Sequence, residues 1–154
     1  MIPWEKIDTA RIPGTEDELR LMRRGREFSI MLGTNELMNS RLSGSEEALA
    51  TLAAKKIEQV AAPHFLIGGL GMGFTLRAAL KVLGAEAQIM VAELVPAVVA
   101  WARGPMAEIF GDSLSDNGNL YLASGGTTPA GTSAASVAHP PVYAQVPHVA
   151  VPST

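Results

Sequence analysis

The sequence predicts an α/β fold: a parallel, doubly wound sheet preceded by a small β meander and followed by an irregular tail. Three observations carry this expectation. Apolar and polar residues alternate before residue 41, and two short apolar runs, 64–68 and 88–93, are each followed by a helical stretch. All 12 Lys+Arg and 15 Asp+Glu residues stand at or before Asp116, so 117–154 is uncharged. Strand–helix–strand units joined by right-handed crossovers build a parallel sheet, whereas short alternating runs between glycine turns build an antiparallel one.

In chain order, Ile12-Pro13-Gly14 marks a turn, and 18–24 and 26–32 alternate through Leu19, Leu21, Phe28, Ile30 and Leu32, with Gly25 between them. A third strand is expected over 36–40. Two or three such strands are marginal alone and must pack on something larger. From Ser43 the period changes. Ser43 and Glu46 have capping-box spacing, and Leu49, Leu52, Ala53, Ile57 and Val60 recur at helical intervals, predicting a helix over 46–60 that Pro63 stops. The run 64–68 reads as a strand buried on both faces of a parallel sheet. After a glycine-rich turn comes a helix over 74–83, with Arg77 and Lys81 on its wet face and Gly84 at its C-terminus. A second buried strand spans 88–93. Pro96 opens a helix through Arg103, which Gly104-Pro105 ends. A third strand over 119–122 is the last periodic element. The organisation expected is 1–41 as the β segment, 42–122 as a partial nucleotide-binding domain, and 123–154 as an irregular or disordered tail rich in Pro, Ala, Ser and Thr.

Composition excludes several functions. A formal charge of −3 gives no global basic field for nucleic acid or an anionic membrane, and Arg23, Arg24 and Arg26 are offset by Glu27. Zero cysteines exclude disulfides, thiolate metal sites and a Cys nucleophile. The N-terminus lacks a signal-peptide pattern, and the apolar windows 65–74 and 87–102 are too short, or interrupted by Glu93, to span a bilayer. A cytoplasmic protein is expected. His139 and His148 have no Cys, Asp or Glu nearby, so no metal site is expected. His64, Trp4 and Trp101 read as structural residues, and Glu46 and Glu47 as helix-start acids that favour the dipole.

The chemistry resides in Ile67-Gly68-Gly69-Leu70-Gly71-Met72-Gly73-Phe74-Thr75, which joins a strand to a helix. A phosphate-binding G-x-x-x-x-G-K-[ST] loop would fit Gly68, Gly73 and Thr75, but Phe74 occupies the lysine position. The dinucleotide pattern G-x-G-x-x-G fits Gly69 and Gly71 and fails at its third glycine, again Phe74. What fits is G-x-G-x-G at Gly69, Gly71 and Gly73, where bare backbone passes close to an adenosyl ligand without a phosphate. About twenty residues on, at the end of the next strand, Glu93 is placed to accept hydrogen bonds from both ribose hydroxyls.

These residues carry a resemblance. Glu27-Phe28-Ser29-Ile30, Glu36-Leu37-Met38-Asn39-Ser40-Arg41, Gly44-Ser45-Glu46-Glu47-Ala48-Leu49, the 66–80 glycine block and Ala92-Glu93-Leu94-Val95-Pro96-Ala97-Val98-Val99 resemble the spermidine/spermine synthase-like branch of class I S-adenosylmethionine-dependent transferases. The resemblance implies an incomplete Rossmann-like, class I methyltransferase sheet. It implies S-adenosylmethionine, its decarboxylated form or methylthioadenosine as ligand, with Gly69, Gly71 and Gly73 beside it, Glu93 on its ribose, and no metal. It ends at about residue 116, as in a C-terminally truncated or frame-altered form. Polyamine synthases of this family carry an Asp where Val95 stands, then a Gly-Asp pair and an Asp-rich catalytic segment. No acid follows Asp116 here, and Asp112 and Asp116 match no family role. The expectation is therefore a transferase-fold nucleoside binder without its catalytic acids. The alternatives are a non-catalytic binding or dimerisation module, and a small-molecule methyltransferase.

Overall fold

The computed structural model describes residues 1–115 and 119–124. Asp116, His139, His148 and the expected irregular tail beyond Ser124 lie outside them.

Four antiparallel strands open the chain: β1 (Glu5–Arg11), β2 (Glu18–Arg24), β3 (Glu27–Leu32) and β4 (Asn35–Asn39), each paired with the next. The last three fall where alternation predicts strands. β1 has no such signal, because only Ile7 and Ala10 are partly buried, and a register shift between Lys6 and Asp8 breaks the two-residue period. Leu19, Leu21, Phe28 and Ile30 point into the core. The meander is tied to the rest of the molecule by Trp101, 2% exposed, whose indole Nε1 donates to Asp8 Oδ2 at 2.8 Å. This bond, with one from the Thr9 amide, holds the Asp8 carboxyl below its ordinary pKa. Trp4 lies under the Arg24 guanidinium, 4.7 Å from its carbon to the ring centroid.

Helix α1 (Gly44–Lys56) departs from the expected 46–60 in three ways. Ser43 occupies the N-cap position, yet its hydroxyl donates to Glu47 Oε1 at 2.7 Å and caps no backbone amide. The capping box is therefore absent. The helix ends at Lys56 as Ile57 N bonds back to Ala54 O, tightening the last turn. Its buried face is Ala50 and Ala54, while Leu49, Leu52 and Val60 are more than half exposed. Small residues face α2 across this contact, which lets the two helices approach closely.

The parallel sheet follows the predicted sequence of elements through β5 (His64–Gly68), α2 (Phe74–Val82), β6 (Gln88–Glu93) and α3 (Pro96–Arg103); α4 (Ala107–Phe110) and a 3-10 turn (Gly111–Leu114), not expected from the sequence, then lead to β7 (Leu120–Ser124), in strand order β5-β6-β7. Burial on both faces is not observed. Ile67, Ile89 and Val91 are buried with Leu76, Ala79, Val98 and Trp101, but Leu66, Met90 and Tyr121 stand about half exposed. The pairs Leu66–Met90 and Met90–Tyr121 are in register, so these three side chains form an apolar row on the other face. Among the described residues no helix covers that row, whereas the buried set gathers with the helices in a single core.

Candidate nucleoside site at the strand ends

The parallel pairing of β5 and β6 brings Gly68 opposite Ala92 and carries on for one residue, as Gly69 N donates to Ala92 O at 2.7 Å. The chain then turns sharply. Gly69, Gly71 and Gly73 have φ of +87°, +52° and +76°, a region side-chain-bearing residues rarely adopt, and Gly73 opens α2 from this left-handed conformation. Backbone geometry alone thus requires the three glycines at this spacing.

Glu93 closes the turn. The residue is 9% exposed; its Oε2 accepts from Leu70 N at 2.7 Å and Oε1 from Val95 N at 2.8 Å. One side chain therefore joins the glycine loop, the end of β6 and the approach to α3. An ionised carboxylate has about four lone-pair directions, of which these bonds use two. The sequence-nominated residues Gly69, Gly71, Gly73 and Glu93 are thus gathered at the carboxyl ends of β5 and β6, where open parallel sheets bind ligands.

The three glycines have different surroundings. Gly68 and Gly69 are exposed, and a Cβ added at either meets nothing within 4 Å. At Gly71 an added Cβ would lie 2.6 Å from Met38 Sδ, and at Gly73 it would fall on the Phe110 ring, 2.7 Å from Cδ1. The open side of the loop is therefore its first part, next to Glu93. Arg77, expected on a wet face, is half-buried and donates from Nη1 to Ile109 O at 2.8 Å, which fixes the short helix bearing Phe110. Met38 and Phe110 are the neighbours of the loop that periodicity did not find. Met38 lies in the segment 36–41 that carries part of the resemblance, but nothing in the sequence links it to Gly71.

Other nominated residues are elsewhere. His64 is exposed at the start of β5, Glu46 and Glu47 bond to Ser45 and Ser43 in the first turn of α1, and Asp112 is exposed in the 3-10 turn. A cavity of about 480 Å³ lies at the opposite end of the sheet, between the C-terminal ends of α1 and α2, and a smaller one of about 120 Å³ lies along their contact. Neither includes the loop or Glu93. Among the described residues no cluster of three His, Asp or Glu side chains is placed to hold a metal, and no helix is long and apolar enough to cross a membrane.

A parallel sheet with helices, a glycine turn after its first strand and an acid ending the second make a partial Rossmann-like α/β fold. Within that class the fold is spermidine synthase-like. Spermidine synthase from Thermotoga maritima is similar at a TM-score of 0.58 and 14% identity, over 77% of this chain and 39% of that one. A spermidine synthase in complex with the transition state analogue AdoDATO has the same TM-score and identity, over 77% of this chain and 40% of its own. The chain thus spans about two fifths of the solved structures it matches. Neither a protein-family model nor a curated protein matches the sequence.

Proposed function

We propose that the chain binds an adenosine nucleoside bearing sulfur at its 5′ position, namely S-adenosylmethionine, its decarboxylated form or methylthioadenosine, and does not by itself carry out group transfer. The observation that supports binding is the juxtaposition of the exposed, side-chain-free Gly68–Gly69 backbone with the Glu93 carboxylate, whose two oxygens each accept one backbone N–H. The ribose hydroxyls donate to Glu93, and the adenosyl group lies along the glycine backbone. Similarity to a spermidine synthase crystallised with AdoDATO is consistent with such a ligand.

Transfer of an aminopropyl group requires attack of an amine on the carbon next to a sulfonium. The amine must be held in line and must give up a proton, tasks for positioned carboxylates. Glu93 is committed to the loop, Glu46 and Glu47 belong to α1, and the sequence holds no acid after Asp116. Titrating methylthioadenosine and S-adenosylmethionine into the chain by calorimetry should give saturable heats, while putrescine with decarboxylated S-adenosylmethionine should give no spermidine above background. Absence of heat with either ligand removes the binding proposal, and robust transfer removes the catalytic one. Weaker support exists for a methyltransferase, since the same glycines and acid serve both reactions.

A second proposal, a non-catalytic dimerisation module, is favoured by the bare row Leu66, Met90, Tyr121 and by the outer edge of β5, which has no strand partner among the described residues. Three half-exposed side chains supply less than the roughly 800 Å² per partner of a stable interface, so such a dimer must recruit the strand edge or the N-terminal β segment as well. Sedimentation equilibrium should then show a dimer that Leu66→Lys dissociates; a monomer at every concentration rejects it.

A further inference from the structure

Met38 is the one side chain of the meander that reaches Gly71, the middle glycine of the loop. Its Sδ and Cε lie 2.6 and 3.1 Å from where a Cβ on Gly71 would be, so the thioether rests on bare backbone. A local irregularity aims it there. The β3–β4 register runs Ile30–Met38 and then Met31–Glu36, leaving Leu37 as an extra residue, unpaired and exposed. Such bulges redirect neighbouring side chains and occur often beside active sites. Around it, Leu70 and Met72 are buried and carry no polar side-chain group suited to a ligand, and the adjoining Leu70 amide is held by Glu93.

Resting on the proposed nucleoside site, we infer that Met38 is a specificity-determining residue of that site, its thioether limiting the room for the substituent on the ligand's sulfur. The ribose is anchored at Glu93, which holds the amide of Leu70, the residue next to Gly71, and the 5′ sulfur is directed toward the space that Met38 occupies. A methylthio group fits beside the Met38 thioether. The longer amino acid chain of S-adenosylmethionine or S-adenosylhomocysteine must displace it. Methionine suits this role, being unbranched and apolar, with three rotatable bonds and no hydrogen-bonding group that would reward the polar chain.

Dissociation constants for methylthioadenosine, S-adenosylhomocysteine and S-adenosylmethionine test this on the wild type, Met38→Ala and the length-preserving Met38→Gln. The wild type should bind methylthioadenosine most tightly. Met38→Ala should improve both long-chain ligands relative to methylthioadenosine by about tenfold, within the range that a few methylenes of pocket space confer. Met38→Gln keeps the length and adds only a hydrogen-bonding group, so any gain for the long-chain ligands should be smaller than in Met38→Ala. A general loosening of the fold weakens all three ligands together and leaves the ratios unmoved, so it cannot imitate the expected result. Unchanged ratios in Met38→Ala overturn the assignment, as does a gain confined to S-adenosylmethionine, which would point to the charge on sulfur instead of room. Failure of the wild type to bind any of the three defeats the nucleoside proposal itself and this assignment with it.

Discussion

Glu93→Ala is expected to destabilise the chain by about 3 kcal/mol, a large part of the roughly 5–15 kcal/mol that holds a domain together. The substitution leaves the Leu70 and Val95 amides without their acceptor, and these residues are only 5% and 4% exposed. Each buried donor left unpaired costs about 1–3 kcal/mol, and bonds to a charged acceptor lie toward the upper end. Glu93→Gln is predicted to fall between, because its amide oxygen satisfies one N–H while its NH2 faces the other, donor against donor. Urea unfolding monitored by tryptophan fluorescence measures both, with the denaturant slope expected to stay constant. Amide exchange should accelerate at Leu70 and Val95 before it does in β2 or β3. A loss under about 1 kcal/mol for the alanine variant contradicts the clasp.

The same bonds govern how ligand data are to be understood. Loss of nucleoside binding in Glu93→Ala would follow from a collapsed loop as readily as from a missing ribose contact. Glu93→Gln separates the two if its loop amides stay protected, since an amide oxygen retains half of the acceptor capacity and none of the charge. Weakening of methylthioadenosine by about tenfold or more, with the loop intact, then belongs to the ribose contact, as expected for a hydrogen bond to a charged group of about 1.5–3 kcal/mol.

Local chemistry made much of this legible. The strands His64–Gly68 and Gln88–Glu93 were bounded correctly because Pro63, the glycine turn and Pro96 punctuate them; the three alternate glycines were read as room for a ligand, whereas their left-handed backbone conformation already requires them. What the sequence withheld was coverage. Periodicity says which residues share a face, not which face receives a neighbour: Leu49 and Leu52 look like a helix core, yet α2 packs on Ala50 and Ala54. The run Phe65-Leu66-Ile67 looks doubly buried, yet Leu66 faces outward beside Met90. The contacts Met38–Gly71 and Phe110–Gly73 join residues far apart in sequence, and no local pattern marks them. Trp101 and Asp8 are 93 residues apart and are equally unmarked, though the tryptophan itself was expected to anchor packing.

The glycines themselves provide the second large effect. Gly73→Ala should cost about 3 kcal/mol, from two sources that can be measured apart. Holding alanine in the left-handed region costs about 1–2 kcal/mol, and overlap of its Cβ with the Phe110 ring adds about 1–3 kcal/mol of overpacking. Gly69→Ala has the first cost alone, since nothing lies within 4 Å of its added Cβ, and should therefore be milder by the amount of the overlap. Phe110→Ala is itself expensive, about 3–5 kcal/mol, because the ring is 2% exposed. In the double variant the overlap disappears, so the two losses should sum to more than the measured total by about 1–2 kcal/mol. Additivity within about 0.5 kcal/mol would mean that the ring yields freely and that Gly73 is required only for its backbone angle. Coupling of the expected size instead makes the last glycine of the loop a packing residue, and confines backbone open to a ligand to Gly68 and Gly69.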